Sequence, residues 1–252
     1  MCKYANMQKE LVLLHGWGMN QGVWQLIQPE LENLYTGQVR SLDLPGFGNS
    51  ATTLPTPYNL HDAAMQLSQQ LKPHSILMGW SLGGLFALYI AKHWPEKVSK
   101  VILVASTPYF AEQSEWPGIS EKVLTQFKDQ LVNHREKTIE RFLAIQAMGS
   151  ESARDDIKQL KQLLNQYSAP NSEALTAGLD ILQNDDLRDL FATCPVKIMG
   201  VFGRLDALVP YKAIAKMSVL NAEFEYQVID KASHAPFISH KNEFLSIVKS
   251  ML

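Results

Sequence analysis

The sequence predicts an α/β fold: a mostly parallel central sheet with helices on both faces and one inserted helical segment. Short runs rich in Val, Ile and Leu recur along the chain, and helix-compatible segments separate them. Runs that are apolar on both faces are typical of parallel strands covered on both sides. The alternation of strands and helices indicates a layered α/β architecture. It breaks once, over residues 112–186, where no convincing strand occurs.

Each element follows from a local pattern. Strands are expected over residues 11–14, 39–44, 76–78, 100–105, 196–202 and 224–229. Helices are expected over residues 60–71, 82–94 and 211–220, and within the strandless segment over 121–132, 137–148 and 153–165. Because this segment is too long for one crossover, we expect residues 1–111 and 187–252 to form the core domain. Residues 112–186 would then form a helical lid over the carboxyl edge of the sheet.

Composition and charge exclude several classes of protein. The 252 residues are 46% hydrophobic, which argues against disorder. The formal net charge of -2 argues against a dedicated nucleic-acid binder. The longest apolar run, residues 85–91, is too short for a transmembrane helix. Since the first ten residues also lack the apolar stretch of a signal peptide, a cytoplasmic protein is expected. Cys2 and Cys194 match no metal or redox spacing.

The strongest chemical motif is Gly79-Trp80-Ser81-Leu82-Gly83, which fits G-x-S-x-G. An apolar strand is predicted before it and a helix after it. Glycines two residues before and after the serine remove Cβ atoms that would clash in so tight a turn. The turn would place Ser81 at a helix N-terminus, where the next N–H can donate to a developing oxyanion. A chance glycine-rich turn is the alternative.

A nucleophilic serine needs a base, and the base needs an orienting acid. Hydrolases that use this turn supply Asp or Glu and then His, in that chain order. His234 follows the last predicted strand and is the expected base, whereas His240 begins the terminal helix and is expected to be a cap or surface residue. Asp206 follows the strand at 196–202 and is the expected acid. Asp230 is its competitor.

A second loop is expected to complete the oxyanion hole. His15-Gly16-Trp17-Gly18 follows the first strand, so the N–H of Trp17 can join that of Leu82. A structural tight turn with a core tryptophan is the alternative. The turn at residues 43–50 lacks the spacing of a phosphate-binding loop. No metal-ligand set is found, so neither a metal nor a cofactor is expected.

These motifs, in this order, resemble the α/β-hydrolase superfamily across nearly the whole chain. The chain resembles more closely the family of pimeloyl-[acyl-carrier protein] methyl ester esterases of biotin biosynthesis. The motifs shared with that family include two in the predicted lid, where such enzymes vary most. The two lid motifs are Glu115-Trp116-Pro117-Gly118-Ile119 and Glu140-Arg141-Phe142-Leu143-Ala144. The other shared motifs are Asp43-Leu44-Pro45-Gly46-Phe47-Gly48, His234-Ala235-Pro236-Phe237-Ile238-Ser239-His240 and the loops quoted above.

The resemblance implies a serine esterase fold and an acyl carrier protein as partner. The implied triad is Ser81, Asp206 and His234. Implied to line the substrate site are Trp17, Leu82, Phe142, Leu143, Ala144, Ile145 and Gln146. Implied to dock the carrier protein are Lys137, Arg141, Arg154 and Lys158, although two of these are lysines where arginine is expected. Because Glu136, Glu140, Asp155 and Asp156 are interleaved with them, a solvated, salt-bridged surface explains the same residues.

The sequence therefore predicts a monomeric serine carboxylesterase that hydrolyses the methyl ester of pimeloyl-acyl-carrier protein. A general short-chain carboxylesterase or a C–C bond hydrolase with the same triad is the closest alternative. A non-catalytic ligand-binding protein of the same fold is a more remote one. Neither nucleic acid nor a membrane is expected as a partner.

Overall fold

A computed structural model describes residues 10–146 and 152–252 of the chain. Its centre is a sheet of six parallel strands in the order β2-β1-β3-β4-β5-β6. The strands are β1 (Glu10–Leu14), β2 (Gln38–Leu42), β3 (Ser75–Trp80), β4 (Val98–Val104), β5 (Lys197–Gly203) and β6 (Glu225–Ile229). The predicted α/β class with a parallel sheet is confirmed.

Helices cover both faces of the sheet. They are α1 (Gln28–Leu34), α2 (Leu60–Ser68), α3 (Leu82–His93), α4 (Glu121–Asn133), α5 (Arg135–Gln146), α6 (Ala153–Leu164), α7 (Ser172–Asn184), α8 (Arg188–Ala192), α9 (Tyr211–Leu220), α10 (Pro236–Ser239) and α11 (Lys241–Met251). Short 3₁₀ turns occupy Gln21–Leu26, Gly48–Ser50 and Pro95–Lys97.

The apolar residues of each strand alternate between two cores. In β1, Val12 and Leu14 pack with α2 and α3 on one face. Leu11 and Leu13 pack on the other face, in the cluster that contains α1 and α11. All four side chains are fully buried. Burial on both faces explains why the strands appear in the sequence as continuous apolar runs.

The ends of the predicted strands differ from those observed by one or two residues, and two of these differences have clear local reasons. The second strand was expected to reach residue 44, but β2 ends at Leu42. The carboxylate of Asp43 accepts hydrogen bonds from the N–H groups of Gln21 and Asn49, which turns the backbone out of the sheet. The third strand was expected to end before Gly79, yet β3 continues through Trp80, because both residues keep parallel pairing with β4.

The described residues between β4 and β5 contain five helices, α4 to α8, two more than the three predicted there. The added helices are α7 and α8, and α8 extends the helical segment past residue 186. The helix expected over 137–148 begins earlier, at Arg135, and Met148 lies outside the described residues. Two short backbone bridges, Ala111 with Ile119 and Gln113 with Trp116, precede α4.

Within residues 10–146 and 152–252, none of the helices has the length and apolarity needed to cross a membrane.

Candidate active site

The strand order brings four loops to one edge of the sheet. The chain passes from β1 outward to β2 and returns to β3 on the other side of β1, so its direction across the sheet reverses between β1 and β3. Ligands of open α/β sheets bind at the carboxyl ends of the strands near such a reversal. The loop at residues 15–18 follows β1, and Ser81 follows β3. Asp206 and His234 follow β5 and β6 at the same edge.

Ser81 occupies a sharp turn between β3 and α3. Its backbone has φ 54° and ψ -119°, a conformation that non-glycine residues rarely adopt. A Cβ atom on Gly79 would lie 2.4 Å from the carbonyl oxygen of Gly83. A Cβ on Gly83 would lie 2.6 Å from the carbonyl oxygens of Leu14 and His15. The glycines are therefore required at both positions by close backbone packing.

Hydrogen bonds on both sides hold this strained turn in place. The N–H of Ser81 donates to the carbonyl of Val104 over 3.0 Å, and the hydroxyl of Ser106 donates to the carbonyl of Ser81 over 2.7 Å. The backbone N–H groups of Trp17 and Leu82 donate to no other group among the described residues. Two donors are thus available in the loops that flank Ser81.

Asp206 and His234 form a buried pair. The Nδ1 of His234 lies 2.7 Å from Oδ2 of Asp206, and both side chains are shielded from solvent. The other carboxylate oxygen accepts hydrogen bonds from the N–H groups of Leu208 and Val209. These bonds fix the carboxylate and direct it at the imidazole. With Nδ1 donating to the carboxylate, Nε2 is the nitrogen that can accept a proton.

The two alternative residues lie elsewhere. Asp230 is largely exposed and pairs with Arg204 on the surface. His240 precedes α11, and its Nδ1 contacts the hydroxyl of Ser239.

The Nε2 of His234 is buried and has no hydrogen-bond partner among the described residues. The hydrogen bond from Ser81 to His234 is therefore not formed in this structure. Such bonds are often long in unliganded enzymes and shorten when substrate binds. What the structure provides is a serine and an imidazole on adjoining loops, with the imidazole already oriented by a carboxylate.

Trp17 is held by two helices of the segment between β4 and β5. Its indole N–H donates to the carbonyl of Leu175 in α7 over 2.8 Å. Its ring packs edge-on against Phe142 in α5, with 4.8 Å between centroids. A Cβ on Gly178 would lie 2.7 Å from the indole, so this glycine lets α7 approach closely. The sequence gives no signal for Leu175 or Gly178, because no local pattern indicates a contact with Trp17 across about 160 residues of chain.

The residues expected from α5 point in different directions. Phe142 and Gln146 are buried and lie one helical turn apart. Leu143 is also buried but packs in the opposite core cluster, with Met19 and Trp24. Ile145 is half-buried and Ala144 is exposed. Phe142 and Gln146 are therefore the α5 residues that can face the site with Trp17.

The four expected docking cations, Lys137, Arg141, Arg154 and Lys158, are all exposed on α5 and α6. No ion pair joins any of them to a carboxylate within residues 10–146 and 152–252. Glu140 pairs instead with Lys161, over 2.8 Å, and this pairing lowers the pKa of Glu140. This bridge joins α5 to α6, the two helices that carry the four cations.

A cleft of about 390 Å³ lies between the turn that follows Trp17 and helices α5 and α6. Its lining includes Gly18, Ile139, Leu143 and Leu164, but none of Ser81, Asp206 and His234. No group of three or more potential metal ligands is found in the part of the chain that the structure describes.

Comparison with known proteins shows which family the chain belongs to. A family model described as the alpha/beta hydrolase fold matches residues 10–241. A pimeloyl-[acyl-carrier protein] methyl ester esterase from Aeromonas hydrophila is 47% identical over 240 residues, which cover 95% of this chain and 94% of that protein. An enzyme of the same name from Vibrio cholerae is 44% identical, covering 94% and 91%.

The chain belongs to the pimeloyl-[acyl-carrier protein] methyl ester esterase family of α/β hydrolases. The resemblance inferred from the sequence motifs is thereby confirmed.

Solved structures of proteins with lower sequence identity share the fold. An esterase from Exiguobacterium antarcticum superposes with a TM-score of 0.84 at 24% identity, covering 96% of this chain and 91% of that one. An enol-lactonase from Burkholderia xenovorans gives a TM-score of 0.81 at 17% identity, covering 98% and 92%. At these identities the likeness establishes the fold alone.

A second buried histidine supports the loop that carries Trp17. The Nε2 of His15 accepts the N–H of Leu44 over 3.0 Å, so the ring proton lies on Nδ1, which donates to the carbonyl of Gly16. Burial lowers the pKa of His15, although Asp43, 3.8 Å away, opposes this effect. The structure therefore requires a neutral His15, whose role is to connect the loops after β1 and β2.

This requirement predicts a loss of stability in acid. The unfolded His15 takes up a proton near pH 6.5, whereas the folded form resists it until lower pH. The contribution of His15 is thus complete above about pH 6.5 and is lost as the pH falls through the folded-state pKa. Between pH 7.5 and 5.5, we expect wild-type protein to lose up to about 1.4 kcal/mol more unfolding free energy than His15→Gln in urea titrations. Equal losses in the two proteins would contradict this account.

Proposed function

We propose that this protein is a serine carboxylesterase that hydrolyses the methyl ester of pimeloyl-acyl-carrier protein, in biotin biosynthesis. The products are methanol and pimeloyl-acyl-carrier protein. The observation that carries this proposal is the 47% identity, over nearly the whole chain, to an enzyme of that name. We expect a monomer to be the active form. We expect it in the cytoplasm, together with its carrier-protein substrate.

In the first half of the reaction, Ser81 Oγ attacks the ester carbonyl while Nε2 of His234 takes the hydroxyl proton. Asp206 stabilises the resulting imidazolium through Nδ1. The N–H groups of Trp17 and Leu82 donate to the oxyanion of the tetrahedral intermediate. Removing one such donor commonly costs about 3 kcal/mol of transition-state stabilisation. As the intermediate collapses, the C–O bond to the methoxy group breaks and His234 gives its proton to the departing methanol.

In the second half, water hydrolyses the acyl-enzyme. His234 removes a proton from the water, whose oxygen attacks the acyl carbonyl, and the same two N–H groups hold the second oxyanion. The bond to Ser81 Oγ then breaks, and His234 returns the proton to Oγ. Every step uses this chain's own residues and water.

The aromatic contact between Trp17 and Phe142 supports an apolar acyl site. Trp17 contributes a backbone donor on one side and an indole ring on the other, and the bond to Leu175 fixes that ring. Phe127 packs against the far edge of Phe142, with 5.7 Å between centroids, and so braces the wall from within the lid. An extended methylene chain can pack along such a wall and gain about 0.8 kcal/mol per buried CH₂ group.

The outer surface of the lid supports the docking of an acidic carrier protein. Four cations on this surface are exposed and form no ion pair among the described residues: Lys137, Arg141, Arg154 and Lys158. A carrier protein can therefore bind them without first breaking an ion pair inside this chain. Arg141 is partly ordered by Gln130 and by the ring of Phe127. Among the described residues the interleaved acids form no ion pair with these cations, which favours docking over a self-paired surface.

Covalent labelling tests the proposed nucleophile. We expect a fluorophosphonate to label the wild-type protein once and to leave Ser81→Ala unlabelled, as measured by intact-protein mass spectrometry. Ester turnover should fall by a factor on the order of 10⁴ to 10⁶ in Ser81→Ala.

Ser106→Ala is the matched control, because it also removes a buried hydroxyl close to the turn but leaves the nucleophile in place. It should still be labelled. An adduct on Ser81→Ala at the wild-type rate would refute the assignment.

Charge removal tests the docking surface. We expect the quadruple alanine variant of Lys137, Arg141, Arg154 and Lys158 to raise KM for the carrier-protein ester roughly ten-fold at low salt, at about 0.2–1 kcal/mol for each exposed pair. The ratio of kcat/KM on that ester to kcat/KM on a p-nitrophenyl ester should fall accordingly. Added salt should raise the wild-type KM towards that of the variant.

Lys212→Ala combined with Lys249→Ala provides a control, because both lysines are exposed and lie outside the lid. The pair Arg154→Ala and Lys158→Ala removes the same charge from α6. If these two double variants have the same KM for the carrier-protein ester, the docking surface is wrongly placed.

A further inference from the structure

Trp80 connects the strand of Ser81 to the loop of His234. It is the last residue of β3, directly before Ser81, and its side chain is fully buried. Its indole N–H donates to the backbone carbonyl of His234 over 2.8 Å, across 154 residues of sequence. In the G-x-S-x-G motif this position is unspecified, so the motif alone gives no reason to expect a functional side chain there.

The Trp80 indole also touches the other loops of the site. It lies 5.9 Å from the imidazole of His234 and packs edge-on against Phe237, with 5.0 Å between centroids. A Cβ on Gly16 would lie 3.3 Å from its Cε3 atom, so the loop that carries Trp17 also packs against this ring. One side chain thus contacts the turn of the nucleophile, the loop of the base and the loop of the oxyanion donor.

The remaining hydrogen bonds of His234 connect it to α5 and to the loop after β5. Its N–H donates to the carbonyl of Gln146 at the end of α5 over 3.1 Å, and its Nδ1 pairs with Asp206 after β5. Of its hydrogen bonds within the described residues, the one from Trp80 runs to the strand that carries Ser81. Nε2 and Ser81 make no direct bond in this structure, so the bond from Trp80 is a direct link between the strand of the serine and the loop of the imidazole.

We propose that Trp80 is a positioning residue that holds the main chain of His234 at a fixed distance from Ser81. This inference rests on the proposed roles of Ser81 as nucleophile and His234 as base. Loss of the indole N–H leaves the buried carbonyl of His234 unpaired and frees the loop to shift. A displacement of about 1 Å at a reacting group can lower the rate on the order of 10²-fold.

Trp80→Phe tests this role, and Trp24→Phe is its matched control. Trp24 is also fully buried, belongs to the same core cluster and packs 4.6 Å from Phe237. Its indole N–H has no hydrogen-bond partner among the described residues. Both substitutions remove the same atoms from the same core, but Trp80→Phe alone breaks a hydrogen bond.

On p-nitrophenyl acetate, we expect kcat of Trp80→Phe to fall roughly ten- to hundred-fold with KM nearly unchanged. Trp24→Phe should keep a kcat close to that of the wild type. Thermal unfolding of both variants, and titration of active sites with the fluorophosphonate, correct for unfolded protein. Equal kcat values in the two variants, or a Trp80→Phe defect confined to KM, would overturn the proposal.

A measurement on the wild-type protein does not depend on the folding of any variant. The Trp80 indole N–H should exchange with solvent deuterium more slowly than that of Trp24 in NMR spectra of the wild-type protein, because both are buried and only the Trp80 N–H has a hydrogen-bond partner among the described residues. Equal exchange rates at the two indoles would argue against the connection. Labelling of Ser81→Ala would instead defeat the proposed function itself, so the two failures are distinguishable.

Discussion

The buried contact between Asp206 and His234 is the interaction on which the arrangement of this site depends. A carboxylate removed from water is costly unless its oxygens are paired, and Asp206 is paired three times: by the imidazole and by two N–H groups of its own loop. The turn after β5 stabilises the buried carboxylate, because it supplies both backbone donors. With the acid fixed, the imidazole is held in one orientation and one tautomer, and Nε2 is left as the proton acceptor.

Helix α5 links this interior to the outer surface of the lid. Its inner face carries Phe142 against Trp17, and its last carbonyl, at Gln146, accepts the N–H of His234. Its outer face carries Lys137 and Arg141. Under the proposed function, one helix thus contributes to the acyl wall, supports the base and presents charge to the carrier protein.

The sequence predicts what local patterns specify. Apolar runs locate all six strands, and Gly79 and Gly83 mark the turn because only glycine tolerates such close backbone contacts. Position relative to the predicted elements favours Asp206 over Asp230, which ends the last strand, and His234 over His240, which begins the terminal helix. Contacts made across long stretches of sequence leave no such pattern. The bond from Trp80 to His234 joins residues 154 apart, and the approach of α7 to Trp17 depends on Gly178, which looks unremarkable in its own helix. Ala144 is exposed despite its place in a shared motif, because the helical period decides which face each residue occupies.

A crystal structure of the phosphonylated protein tests the central claim most directly, because the adduct on Ser81 mimics the tetrahedral intermediate. The account predicts Nε2 of His234 within about 2.6–3.2 Å of an oxygen bonded to phosphorus, Ser81 Oγ or the alkoxy oxygen, with Nδ1 still bonded to Asp206. The phosphoryl oxygen should accept the N–H groups of both Trp17 and Leu82, at about 2.7–3.1 Å. An imidazole turned away from the adduct, or a phosphoryl oxygen directed to solvent, would contradict it.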